Sequence, residues 1–519
     1  LSRLSIPIGL ILLFFPAMGA CEEVPELAVK LKAVMDRPEY KGASWGMLVV
    51  RADTGKVVYE LNADKLFIPA STTKLYSCAA AMIELGPDRR FETPVYAVGE
   101  VKAGILRGDL VLVASGDLTF GSRAGKDGKT AFANNDHTYA NSGLTEAEPT
   151  GTNPIAALES LAKQVFDSGI REVTGEVLID ERLFRRSTSS GSGPVVVSSI
   201  LVNDNVVDLT IAPGDKPGDP AKVTMSPKTA FVTLDAEVTT AEKGATASIE
   251  LDSSGLGQAI VRGRIDVGSK PLARIYPVED PALFARALFV EALRAKGIRV
   301  LAAVYRPTRF EMPTTDELKA LKPVAVWTSE PLIEALTVAL KVSHNLYAST
   351  LPLLLAAKTG GQTLEDGLKV QARILEKLGV PVKDISFGGG AGGSNSDLVS
   401  PQATVALLSA MRKRPDGELF FNALPRMGID GTLASTVRLD SPIRDRVRAK
   451  TGTLIWTDTL NSRGILRSKA LAGTMETAQK TPLLLALFVN NVPLPANVPT
   501  TREGKMLGTM CEIIYQYGP

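Results

Sequence analysis

Apolar positions change period several times along this chain, and each change marks an element. Residues 44–61 hold two β-rich runs flanking the turn signal Asp53-Thr54-Gly55, so they predict a β-hairpin. From Ser71 the spacing becomes helical, with Leu75, Cys78, Ala79 and Met82 on one side. Between about 93 and 305 strand-like runs recur: Asp109–Ala114, Gly175–Asp180, Val206–Ala212, Phe231–Leu234 and Gln258–Arg262. Two helical stretches interrupt them, Ile155–Ser168 and Pro281–Lys296, and residues 121–152 and 187–194 read as loops rich in Gly, Ser, Asn and Thr. This block predicts β-rich modules inserted into another domain. Helical spacing returns over Pro331–Tyr347, Leu364–Leu378 and Pro401–Met411. The run Thr481–Asn491 is apolar almost without interruption, as suits a central strand buried on both faces.

At 519 residues the chain has room for two to four domains. Its 22% charged residues and net charge of +2 give no reason to expect a nucleic-acid partner, and no basic patch with interleaved aromatics stands out. Two histidines, His137 and His344, and three cysteines without a CxxC make a His- or Cys-based metal site an unsuitable reading. At the N-terminus Arg3 precedes an apolar stretch, Ile6–Phe15, and a small-residue exit, Pro16–Ala20. That pattern predicts an export signal over 1–20, too short to span a bilayer comfortably. Cys21 after Gly-Ala is similar to a bacterial lipoprotein cleavage site, so two outcomes are open: a lipidated Cys21 attached to the membrane, or plain cleavage near Ala20.

The candidate chemistry begins at Pro69-Ala-Ser-Thr-Thr-Lys74. Ser71 and Lys74 lie three apart, so on a helix they share a face. Burial and the helix N-terminus lower the pKa of such a lysine, and a neutral amine beside a hydroxyl can take its proton. Taken alone, the pair reads as a helix cap with a solvated lysine. Downstream stand Ser343-His344-Asn345 and Lys450-Thr451-Gly452-Thr453. A second Lys-Thr-Gly, Lys358–Gly360, closes a helical run and reads as a helix stop. Gly388–Gly393 matches neither phosphate-loop fingerprint and is expected to be a tight loop near the site.

Ser-x-x-Lys, Ser-x-Asn and Lys-Thr-Gly in this order are the motif set of the penicillin-recognising serine enzymes. With the wide gap between the first and second motifs, the chain resembles the low-molecular-mass class C penicillin-binding proteins, the D-alanyl-D-alanine carboxypeptidase/endopeptidase family, peptidase family S13. Gly175–Phe184, Val202–Gly214, Leu398–Pro401 and Leu424–Leu433 carry the same resemblance. It implies an α/β (α+β) fold: a transpeptidase domain like that of penicillin-binding proteins and serine β-lactamases, with an antiparallel sheet flanked by helices and inserted β-rich domains. The expected division is a discontinuous catalytic domain, 22–92 and 306–519, an inserted domain over 93–200 and 270–305, and a third over 201–269.

The resemblance implies Ser71 as nucleophile, Lys74 as its base and Ser343 as a proton bridge to the leaving amine. Asn345, Lys450, Thr451, Gly452 and Thr453 are then substrate-binding, with Lys450 as the cation near the terminal carboxylate. Backbone N–H groups of Ser71 and Thr453 would form the oxyanion hole. Asp180, in the Leu-Ile-Asp element, is expected to meet the amino end of the peptide's diamino acid. No metal and no cofactor is implied. The expected partners are peptidoglycan stem peptides and, as covalent inhibitors, β-lactam antibiotics, in the periplasm or cell envelope. Two departures from the family pattern stand out: Gly389–Ser394 lacks its Asp and has Ala391 for a Ser, and about twelve residues, 457–468, are added after the third motif. The alternatives are a β-lactamase or esterase on the same fold, a catalytically idle wall-binding protein, and a Ser-His-Asp hydrolase using His344, itself expected to be partly exposed with no catalytic task.

Overall fold

The computed structural model describes residues 24–125, 129–142, 147–309, 311–495 and 499–519; the stretch 1–20 expected to be an export signal and Cys21 lie outside them. The predicted hairpin forms as β1 (Ser44–Arg51) and β2 (Val57–Leu61). It joins three strands from the far end of the chain, β3 (Val447–Asp458), β4 (Arg463–Glu476) and β5 (Pro482–Leu494), in an antiparallel sheet of order β3-β4-β5-β1-β2. β5 is central, and its apolar run is explained by burial on both faces. Leu484, Ala486 and Phe488 pack on one side, Leu483, Leu485, Leu487 and Val489 on the other.

The outer face is covered by α1 (Pro25–Met35) and the C-terminal α4 (Thr501–Tyr517) through Leu27, Leu31, Met510 and Ile514. The inner face packs on α2 (Lys74–Leu85) and α3 (Asn345–Lys358), with helices Leu332–Lys341 and Pro401–Arg412 completing that core. The expected helical run Pro331–Tyr347 is in fact two helices. The chain breaks at Val342–His344, where Ser343 takes a left-handed φ of 65° that no helix accommodates.

Between β2 and the later helices the chain builds a second body. Glu92–Lys102 and Ile105–Val113 anchor a six-stranded sheet that Ala325–Thr328 also joins, and helices Ala156–Asp167 and Pro281–Ala295 pack on its core. Two three-stranded sheets follow, centred on Val206–Ala212 and on Gln258–Asp266. Residues 459–462 turn the β3–β4 hairpin, whose end carries exposed Ile455, Trp456 and Leu460. Among the described residues no helix is long and apolar enough to cross a membrane.

Candidate active site

Ser71 does not open the α-helix itself. It sits in a 3-10 turn, Ala70–Thr73, that runs into α2, so Lys74 is the first α-helical residue. Ala70, directly before it, holds a left-handed φ of 46°, a conformation that costs about 1–2 kcal/mol in a non-glycine residue. Packing holds this turn. A β-carbon on Gly392 would collide with the Ala70 carbonyl, and one on Gly452 of β3 would lie 2.5 Å from the Pro69 carbonyl oxygen. Both glycines are therefore required by close approach to the Ser71 turn. The Gly388–Gly393 segment is a tight loop against the site, closed by Asp397, which accepts from the N–H groups of Gly388 (2.7 Å) and Ser394 (3.1 Å).

The three motifs meet. Lys74 Nζ lies 2.9 Å from Ser71 Oγ, 2.7 Å from Asn345 Oδ1 and 2.7 Å from the Ala391 carbonyl oxygen. Lys74 is fully buried, and burial pulls its pKa down to about 7 against the upward pull of Cys78 and Asp397. A neutral amine has two N–H donors and one lone pair. Asn345 and Ala391 take the donors, which leaves the lone pair for the Ser71 hydroxyl proton. The contact from residue 391 comes from its backbone, so alanine serves there as well as serine.

Ser343 Oγ accepts from Lys450 Nζ at 2.9 Å, and Lys450 also donates to the Thr451 carbonyl at 2.8 Å. Lys450 is buried too, and burial together with the Lys74 charge holds its pKa well below that of a free lysine. Thr451 Oγ1 donates to Thr432 Oγ1 at 2.8 Å, and Lys469 Nζ donates to Thr453 Oγ1 at 2.9 Å. Asn345 Nδ2 donates to the Ser192 carbonyl at 2.8 Å, so the 187–194 loop lies over this side of the site.

Asp180 is not drawn into this group. It ends the strand Val177–Asp180, and Arg182 grips its carboxylate with Nε at 2.8 Å and Nη2 at 2.7 Å. Lys358 is the last residue of α3, exposed, with Gly360 following at a φ of 83°. A larger groove of about 1010 Å³, between α1 and the β1–β2 hairpin, holds none of the motif residues.

His344 is not partly exposed, as its sequence context suggested, but completely buried. It caps α3 by accepting from Tyr347 N–H at 3.3 Å, and its Nε2 faces Asp204 Oδ2 at 3.6 Å. Burial lowers its pKa, and it does not touch Ser71. Around it lies a buried polar cluster that sequence reasoning missed. Arg123 pairs with Asp136 (2.8 Å) and Asp204 (2.6 Å), and His137 bridges Asp204 (2.8 Å) and Asp208 (2.6 Å). Tyr347 OH donates to Asp204 at 2.5 Å, and Tyr139 OH donates to the Ser343 carbonyl. Asp204 reaches this cluster from Asn203–Asn205, three successive residues with left-handed φ of 49°, 54° and 57°. The cluster ties the inserted body to the backbone of Ser343 and to the first turn of α3. The signal that could have found it is Val202–Asp208, an acidic and amide-rich run inside an apolar strand context.

The sequence model of the family described as "D-Ala-D-Ala carboxypeptidase 3 (S13) family" matches residues 27–510. A D-alanyl-D-alanine carboxypeptidase of Actinomadura sp. (strain R39) is 26% identical over 466 residues, covering 84% of this chain and 78% of that protein. The D-alanyl-D-alanine carboxypeptidase DacB of Haemophilus influenzae is 23% identical over 466 residues, 87% of this chain and 86% of that one. Penicillin binding protein 4 (dacB) from Haemophilus influenzae shares the fold, with a TM-score of 0.70 at 20% identity, over 94% of this chain and 99% of that chain. The same protein complexed with a novel β-lactam gives 0.68 at 19% identity, over 94% and 100%.

Proposed function

The chain belongs to the D-Ala-D-Ala carboxypeptidase 3 (S13) family and is a serine-type D-Ala-D-Ala carboxypeptidase; from that premise we propose that it cleaves peptidoglycan stem peptides through an acyl-enzyme on Ser71. The observation that carries this reading is the 2.9 Å contact between Ser71 Oγ and the amine of Lys74, whose pKa burial lowers to about 7. Ser71 attacks the carbonyl between the last two D-alanines while Lys74 takes its proton. Ser343, hydrogen-bonded to Lys450, passes a proton to the departing D-alanine amine. Asn345 orients Lys74, and the backbone N–H groups of Ser71 and Thr453 hold the oxyanion; one such donor is worth about 2.7–4 kcal/mol. Water then releases the acyl group. Endopeptidase action on crosslinks is the same chemistry with a larger leaving amine. The site of action is the cell envelope, where this polymer lies.

The test is to incubate the protein with a diacylated peptide ending in D-Ala-D-Ala and to assay free D-alanine, while following a penicillin adduct by intact mass. D-alanine release with a long-lived adduct is the expected result; rapid return of hydrolysed penicillin without peptide cleavage would make the protein a β-lactamase. The pH dependence follows from Lys74. Its amine must be neutral to accept a proton, so the rate falls as pH drops through its pKa. Penicillin acylation should be half-maximal near pH 7 and lose about tenfold per pH unit below that. A rate constant that stays level from pH 5 to 8 would remove Lys74 as the base.

A further inference from the structure

Helix α1 and the short turn after it, Pro38–Tyr40, leave a groove of about 1010 Å³ against the β1–β2 hairpin. β2 is an end strand of its sheet, so no further strand covers this side. Drug-sized ligands occupy pockets of about 300–1,000 Å³, so the groove has room for a length of polymer. Its walls are aromatic. Tyr40 and Trp45 pack edge to face with ring centroids 5.3 Å apart, and Tyr59 and Phe67 also line it. Trp45 is buried, and its indole N–H has no hydrogen-bond partner among the described residues. Buried donors are nearly always paired, so this wall lacks an acceptor that the chain does not supply.

The rim is cationic. Lys32, Arg37, Lys41 and Lys65 line the groove, against one carboxylate, Asp36, which Lys32 holds at 2.6 Å. Arg37, Lys41 and Lys65 are exposed and form no ion pair among the described residues. Unpaired cations around aromatic faces suit a ligand that combines ring faces, amide carbonyls and repeated carboxylates. Peptidoglycan has all of these: sugar rings carrying acetamido groups, and stem peptides with free carboxylates. The groove is also close along the chain to the nucleophile. Phe67 in its wall and Ser71 are four residues apart, at most roughly 14 Å between Cα atoms.

We propose that this groove binds the peptidoglycan strand whose stem peptides the active site trims, as a second contact outside the cleft. The choice of ligand rests on the peptidase reading. Arg37, Lys41 and Lys65 hold carboxylates of stem peptides that are not being cleaved, and the aromatic wall takes the sugar faces. Two contacts on one polymer raise the effective concentration of stem peptides at Ser71. A short peptide that fills only the cleft gains nothing from the groove.

The full-length protein tests it with two substrates, purified sacculi and a diacylated D-Ala-D-Ala peptide too short to reach the groove. In the double variant Lys41→Glu/Lys65→Glu, the sacculus concentration giving half-maximal D-alanine release should rise about tenfold, a modest share of what a second contact on one polymer confers. Maximal release, and kcat/KM for the short peptide, should change by no more than about twofold, since both side chains are exposed and stand outside the cleft. Lys41→Arg/Lys65→Arg, which keeps both charges, should behave as wild type. Pelleting of the protein with sacculi reads the groove without catalysis. It should fall in the charge-reversed variant, and in the wild type as salt is raised. An unchanged sacculus dependence overturns the proposal, as does an equal loss on both substrates. So does loss of binding to phosphatidylglycerol vesicles with sacculus pelleting intact, which would make the groove a membrane contact. A wild type that pellets through the groove but cleaves neither substrate and takes no penicillin would overturn the peptidase reading and leave the groove assigned.

Discussion

Replacing Ser71 with alanine should abolish the covalent penicillin adduct altogether. The neighbouring hydroxyls cannot substitute. Thr72 is buried and donates to the Pro69 carbonyl at 2.8 Å, and Ser77 is buried and donates to the Gly390 carbonyl at 2.9 Å. Neither shares a contact with Lys74 of the kind that Ser71 has. Loss of a nucleophile that works as one unit with its base typically removes about 10⁶-fold of the rate. Intact-mass analysis after incubation with penicillin, followed by peptide mapping, is the measurement. Wild type should gain one adduct on the peptide carrying Ser71, and Ser71→Ala none. An adduct that persists in the variant would place the nucleophile elsewhere.

The second large effect separates the two Lys-Thr-Gly sequences. Lys450→Ala should slow penicillin acylation roughly 5- to 150-fold, from the 1–3 kcal/mol that leaving a buried hydrogen-bond partner unsatisfied costs. The lysine is completely buried, and its Nζ is the donor that fixes Ser343 Oγ. Without it, Ser343 loses the donor that orients its hydroxyl. Lys358→Ala should change the same rate by no more than about twofold, because an exposed side chain away from such features contributes about 0.5 kcal/mol or less. Acylation rates of the two variants decide the matter, and a crippled Lys358→Ala beside a near-normal Lys450→Ala would reverse the assignment.

Much of the geometry was legible because it is local. Ser71 and Lys74 need one turn between them, and that spacing is written in four residues. Lys450 lies on a strand whose β-rich surroundings can be read directly. The apolar run of β5 announced a strand covered on both faces. What escaped depends on partners distant in the chain. Lys469 faces Thr453 because of a single unpaired residue at 467, and no period in the sequence marks a bulge. The break at Ser343 was hidden because apolar spacing continues across it, while the left-handed backbone there is held by packing and by Tyr139. Arg123, Asp136 and His137 come from a stretch whose composition reads as loop, yet burial turns them into part of the joint beneath α3. His344 was misjudged for the same reason. A polar residue between two motif residues looks exposed until the inserted body is seen to cover it.

The central sheet also has a consequence for how the enzyme is made. Strand β1 pairs on one side with β2, only a turn away, and on the other with β5, which the ribosome delivers more than four hundred residues later. At about 5–20 residues per second, the early hairpin waits roughly 20–80 s for its second neighbour. During that time the edge of β1, with Met47, Leu48, Val49 and Val50, is an open template for another strand. The nucleophile turn is synthesised early, but β3, against which Gly452 packs it, arrives near the end. Catalytic competence is thus one of the last properties the nascent chain acquires, and the chain is most exposed to mispairing while the intervening body is being made.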